Sequence, residues 1–340
     1  MSLVPVVDGS KLFVDYDDIC AAIRKRNAKT VALQLPEGLR VFASEIAATI
    51  ESAANVRVII DSEPCFGACD IPVHLFGISD LVIQMGHTEM PSIGAIPKMY
   101  FANIFVNIDP IPVVEKALSY LKGIVGVVTT AQHMHYLDAV IAYINRSGIR
   151  AVYSRGDSRL GGYAQLLGCD YTSALDIEDS VDSFLYVGDG DFHPIGLVML
   201  TDKSLICANP MDGTVRTIES IRDSIMKQRL LAVERAMKAR SFGILVSSKL
   251  GQRRKQLAER LLKEIENVGR RASLIQTNVV TPEFIGSYDF DAFASTVCPR
   301  VAIDDYSRYA KPILTPVETE IAIGLKKFSE FRFDQILSEQ

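Results

Sequence analysis

Six cysteines are the side chains best suited to chemistry in this chain of 340 residues. Cys65 and Cys69 form a Cys-x-x-x-Cys pair within Glu63-Pro64-Cys65-Phe66-Gly67-Ala68-Cys69-Asp70. Two thiolates are too few for a tetrahedral zinc site or an iron–sulfur cluster, so further ligands would have to come from elsewhere. Cys169 in Leu-Gly-Cys-Asp and Cys298 in Val-Cys-Pro-Arg are the candidates, roughly one thiol in each third of the chain. The alternative is that each is a reduced thiol packed as a small apolar side chain.

Composition narrows the setting. A hydrophobic content of 48% with 23% charged residues belongs to a well-buried globular protein. A net charge of −5 argues against a general nucleic-acid or anionic-membrane partner. Residues 1–10 carry no secretory pattern, and no uncharged apolar run approaches the roughly 20 residues that span a bilayer. The expectation is a cytoplasmic protein, in which cysteines serve as reduced thiols or metal ligands rather than a disulfide framework.

The elements that must position the thiols repeat. Apolar runs at Thr30–Leu35, Val56–Ile60, Asp80–Met85 and Lys98–Phe101 read as strands with helical intervals between them. The same order restarts at Ile124 and again at Phe242. The expected fold is α/β, with three related domains, each a small, mostly parallel four-stranded sheet flanked by helices, meeting at a central cluster site. The expected boundaries are 1–107, 108–214 and 215–340, with a helix over about 215–239 linking the second and third units. Cys69 and Cys169 then lie between the second and third strands of their units, and Cys298 ends the third strand of its own. All three occupy carboxyl ends of strands, where open α/β sheets bind their ligands. Cys20 in a helix and Cys207 in a strand are better explained by packing. Cys65 stays open as a fourth ligand, a spectator or a thiol for repair chemistry.

Several motifs in this order carry a resemblance: Gln34-Leu35-Pro36-Glu37-Gly38-Leu39-Arg40, Phe66-Gly67-Ala68-Cys69-Asp70 and Thr129-Thr130-Ala131-Gln132-His133. Arg155-Gly156-Asp157-Ser158-Arg159, Gly188 to Leu197, Cys298 to Tyr306 and Leu314 to Glu318 complete it. The chain resembles the archaeal 2-(3-amino-3-carboxypropyl)histidine synthases, which carry out the first step of diphthamide biosynthesis. The family usually has Tyr where Phe66 stands, and Cys65 matches none of its ligand positions. The resemblance implies a 4Fe-4S cluster held by Cys69, Cys169 and Cys298, with one iron open to S-adenosylmethionine. It further implies radical transfer of the 3-amino-3-carboxypropyl group to a histidine of translation elongation factor 2, an electron donor, and a homodimer. The Cys-x-x-x-Cys-x-x-Cys loop of ordinary radical S-adenosylmethionine enzymes is absent. Two rival readings are a quinolinate-synthase-like dehydratase and a non-catalytic partner subunit.

Polar residues at strand ends are candidates for the cosubstrate. Ser247, Lys249, Gly251 and Gln252 lead from a strand into a helix, a place suited to a carboxylate; the alternative is an ordinary helix start with a solvated lysine. Arg300 could take the methionine carboxylate bidentately, or pair with Asp304 or Asp305. Arg155 and Arg159 flank a turn, where capping of the loop is the alternative to binding. His193 and His133 could orient substrate or simply be hydrogen-bonded in place.

Overall fold

The apolar runs read as strands in the sequence form strands, as expected where a parallel sheet is covered on both faces. The computed structural model describes residues 3–304 and 306–338. β1 (Val4–Pro5) and β2 (Leu12–Val14) pair antiparallel. β3 (Thr30–Gln34), β4 (Arg57–Ile60), β5 (Leu81–Met85) and β6 (Met99–Ala102) make a parallel sheet in the order β4-β3-β5-β6. β7 (Phe105–Val106) returns to β2 and completes the small antiparallel sheet. The helices Tyr16–Lys25 and Ala43–Ala54 bury Ile19, Ile23, Ile46 and Ile50 against β3 and β5 at the 3–4 residue spacing of one helix face.

The second sheet contains β8 (Val125–Thr129), β9 (Ala151–Val152), β10 (Ser183–Val187), β11 (Ser204–Asn209) and β12 (Thr214–Thr217), in the order β12-β11-β10-β8-β9. It has five strands instead of the expected four. Residues 215–217, read from sequence as the start of a helix, instead extend beside β11 as part of β12, after a turn at Asp212-Gly213. The Asp212 carboxylate accepts from the Thr214 N–H at 2.9 Å and hydroxyl at 2.6 Å, and Gly213 adopts φ +71°, which favours glycine. The linking helix therefore runs Glu219–Met237.

The third sheet is β13 (Ser241–Ser247), β14 (Arg271–Thr277), β15 (Ala292–Ser295) and β16 (Ile313–Leu314), parallel throughout, in the order β14-β13-β15-β16. Its core gathers Leu245, Ile275, Ile285, Phe293, Val297 and Ala302. Arg229, 1% exposed, lies inside this region. Its guanidinium donates to both Glu318 carboxylate oxygens at 2.7 and 2.6 Å, and to the carbonyls of Ala302 at 2.5 Å and Ile313 at 2.7 Å. Glu318 also closes a capping box with Thr315 at the start of the helix Pro316–Ala322.

The three main sheets fall into two compact units. One comprises Met1–Leu166, Thr172–Gly190 and Ile206–Arg216; the other comprises Leu167–Tyr171, Asp191–Leu205 and Thr217–Gln340. The five residues around Cys169 thus belong with the third sheet, not with the strands that flank them in sequence.

Candidate functional site

The six cysteines divide by burial. Cys20, Cys65 and Cys207 are buried, whereas Cys69, Cys169 and Cys298 are partly exposed. Each of the exposed three sits on a loop beyond the carboxyl end of a parallel strand. Among the described residues, no three His, Cys, Asp or Glu side chains are grouped to hold a single metal ion.

In the first unit, the Cys69 loop is closed by Asp70, whose carboxylate accepts from the Phe66 N–H at 3.0 Å. The Asp70 carbonyl accepts from Gln84 on β5 at 3.1 Å, and Gln84 also donates to Gln34 on β3 at 2.7 Å. This explains two glutamines inside otherwise apolar strands: they form the polar floor beneath the cysteine loop. A Cβ on Gly67 would stand 3.4 Å from Cys69 Sγ, so the backbone passes close to the thiol.

The second unit contains Cys169 and Cys298, together with Arg300, His193, Ser247, Lys249, Gly251 and Gln252. Arg300 opens the short helix Arg300–Ile303 two residues after Cys298. It binds Asp304 through two hydrogen bonds, at 2.8 and 2.5 Å, and lies over the Phe192 ring at 4.4 Å. Its Nη1 is buried with no hydrogen-bond partner among the described residues. Asp305, the other carboxylate expected beside it, lies outside the described residues. Buried Tyr171 lies close enough to Cys169 and Cys298 to feel their charge. Burial first, and the two thiolates with it, push its hydroxyl above the ordinary tyrosine range, with Arg300 opposing. Tyr171 is therefore a phenol at neutral pH, and Gly196 leaves the room its hydroxyl fills.

Ser247, Lys249, Gly251 and Gln252, all buried, do not open an α-helix; Ser247 ends β13, Lys249 leads into the 3-10 turn Leu250–Gln252, and the helix begins at Lys255. Ser247 Oγ accepts from the Lys249 N–H at 3.1 Å, and the Gln252 N–H donates to the Lys249 carbonyl at 3.1 Å. This turn leaves β13 beside the loop leaving β15, whose Thr296 N–H and hydroxyl both donate to Leu245 O, at 3.0 and 2.7 Å. Lys249 and Cys298 thus follow the same end of adjacent parallel strands.

The family model described as "Putative diphthamide synthesis protein" matches residues 35–332. The chain belongs to this diphthamide synthesis family. It is 34% identical to the 2-(3-amino-3-carboxypropyl)histidine synthase of Pyrococcus horikoshii, over 95% of this chain and 94% of that protein. The crystal structure of Pyrococcus horikoshii Dph2 with a 4Fe-4S cluster superposes with a TM-score of 0.85 at 32% identity, covering 95% of this chain and 94% of that one. Subunit 1 of the synthase from Eremothecium gossypii is 25% identical over 89% of this chain and 72% of its own length.

The remaining candidates of this diphthamide synthesis family member have structural partners. In the first unit, Arg155 donates to the carbonyls of Leu160 at 2.5 Å and Gly162 at 3.2 Å, which makes it a clamp on its own loop. Arg159 is buried, and its N–H donates to Asp157 at 2.8 Å. His133 is buried with Nε2 3.6 Å from Asp189. Cys65 Sγ lies 3.8 Å from His87 Nδ1, whose pKa burial lowers to about 4. In the second unit, His193 lies on the helix Phe192–Val198, edge-on to Phe192. Among the described residues, no helix is long and apolar enough to cross a membrane.

Sequence reasoning missed Arg254. It stands at the helix start, 3% exposed, and uses all five N–H donors of its guanidinium. Two go to the carbonyls of Thr296 (3.1 Å) and Val297 (3.0 Å), the residues just before Cys298. Three go to both Asp334 oxygens, at 2.8 and 2.7 Å, and to Gln335 O at 3.2 Å.

Proposed function

We propose that this chain transfers the 3-amino-3-carboxypropyl group of S-adenosylmethionine to a histidine of elongation factor 2, the first step of diphthamide synthesis. The reading rests on one correspondence. The three partly exposed thiols are Cys69, Cys169 and Cys298, the set implied by the family motifs, in a chain 34% identical to a synthase of that name. Their chemistry fits a 4Fe-4S cluster, because soft thiolates suit iron–sulfur ligation and each would bind a different iron. Three ligands for four irons leave one iron open. When bound, the cluster supplies the electron that cleaves the sulfonium's bond to Cγ of methionine, giving the aminocarboxypropyl radical and methylthioadenosine.

The residues of the second unit would bind and orient the cosubstrate, which decides which sulfonium carbon is held in reach. Buried Lys249 and the Nη1 donor of Arg300, which has no hydrogen-bond partner among the described residues, would bind the methionine carboxylate. Phe192, stacked on Arg300, screens that cation from water. The reading carries with it a cytoplasmic setting, an electron donor and a second copy of the chain as partner. Anaerobic reduced protein given S-adenosylmethionine should release methylthioadenosine. Its complete absence with iron fully loaded would sink the reading and favour the dehydratase.

A further inference from the structure

We propose that residues 331–336 act as a strap that holds the Cys169 and Cys298 loops, with Arg254 as its buckle. These residues have no regular secondary structure, yet Phe331, Phe333 and Ile336 are buried. The Ile336 N–H donates to the Cys169 carbonyl at 2.8 Å, and Gln335 Oε1 accepts from the Tyr171 N–H at 3.0 Å. Phe333 packs edge-on against Tyr171, ring centroids 5.9 Å apart. On the other side, Asp334 and Gln335 O take three of the Arg254 donors, whose remaining two hold the Thr296 and Val297 carbonyls. Two cysteine loops far apart in sequence are thereby tied through three consecutive residues.

A lysine could not replace Arg254. Its ammonium has three donors on a point charge and cannot present the planar fork that meets five acceptors at once. The Asp334 side chain is only 10% exposed, so losing either partner leaves a buried charge uncompensated. The family match ends at residue 332, before Asp334, Gln335 and Ile336 on the strap side of these bonds. Arg254 and Asp334 are thus positioning residues: they act on the thiols through the loop backbone and set where the thiols stand.

The part of this inference that concerns iron rests on the ligand assignment above, so the test has two arms. In the full-length protein without iron, iodoacetamide labelling of each cysteine is followed by mass spectrometry. Asp334→Asn and Arg254→Lys should label Cys169 and Cys298 faster, Asp334→Asn by about tenfold, and Gln335→Ala, which loses only the bond to the Tyr171 N–H, should label Cys169 faster, as local opening becomes easier. Cys207, buried in β11, should label at the parent rate and so reports general unfolding. In anaerobically reconstituted protein, the same variants should lose iron to a chelator faster than the parent. Parent-like labelling of Cys169 and Cys298 in Asp334→Asn would overturn the strap. If the charged variants also expose Cys207, Gln335→Ala decides, since it spares the Arg254–Asp334 pair. A parent that takes up no iron while the labelling rates still rise would remove the ligand assignment and leave the strap standing.

Discussion

At the scale of single residues, if Cys69, Cys169 and Cys298 hold the proposed cluster, alanine at any one of them removes a ligand thiolate. Each variant should lose cluster absorbance and iron while keeping its far-ultraviolet circular dichroism. Cys65→Ala is the sharpest comparison, because this buried thiol lies only four residues from Cys69. It should keep iron and turn over; loss of iron there, with retention in Cys298→Ala, would reverse the assignment. His87 gives a second prediction. Burial lowers its pKa from 6.5 to about 4, so below pH 6.5 the unfolded chain takes up a proton that the folded one refuses. The stability this group contributes is complete above pH 6.5 and is lost as pH falls toward 4. His87→Gln should therefore flatten the decline in unfolding free energy between pH 7 and 5, by about 2 kcal/mol in urea titrations.

Among the elements, the pair Arg229–Glu318 fastens the helices Glu219–Met237 and Pro316–Ala322 to each other and to the short helix Arg300–Ile303 that follows Cys298. Arg229→Met strands a carboxylate at 0% exposure and should cost about 3–5 kcal/mol in urea unfolding. Arg229→Met with Glu318→Leu should recover most of that loss, because neither charge is then left alone. The strands of the three main sheets, β12 apart, were legible in the sequence, whereas the short strands β1, β2 and β7 and the grouping of the Cys169 loop with the third sheet were not. Continuous apolar runs such as Leu81-Val82-Ile83 of β5, buried at every residue, and Ile244-Leu245-Val246 of β13 admit little else, and loops must follow them. The Arg254 contacts were not legible, since its partners Thr296 and Asp334 lie 42 and 80 residues away and no local pattern marks such a pairing. Nor was β12: Thr214 to Thr217 alternates no more clearly as a strand than as a helix start, and its pairing with β11 decides the matter. The Lys249 turn was read as a helix terminus because its residues suit one, whereas Ser247 and Lys249 close a tighter turn first.

For the molecule as a whole, a self-sufficient enzyme should modify elongation factor 2 with only S-adenosylmethionine and a chemical reductant added. Modification that appears only with a second synthase-like chain would instead make this protein a partner subunit. Light scattering should give a particle of twice the 37.4 kDa chain mass if two copies assemble. The bonds from Ile336 to Cys169 and from Arg254 to Asp334 also fix an order of events during synthesis. Residues 334–336 leave the ribosome after both cysteines whose loops they hold. At roughly 5–20 residues per second, Cys169 waits on the order of ten seconds or more for Ile336 to be made. Throughout that interval the nascent chain has its thiols but not the bonds that fix their spacing. Iron and sulfide offered then would meet a floppy pair of the proposed ligands, so maturation belongs after residues 334–336 have been made. A cell making this protein faster than it can supply iron would accumulate a folded, strapped apo form, not an unfolded one.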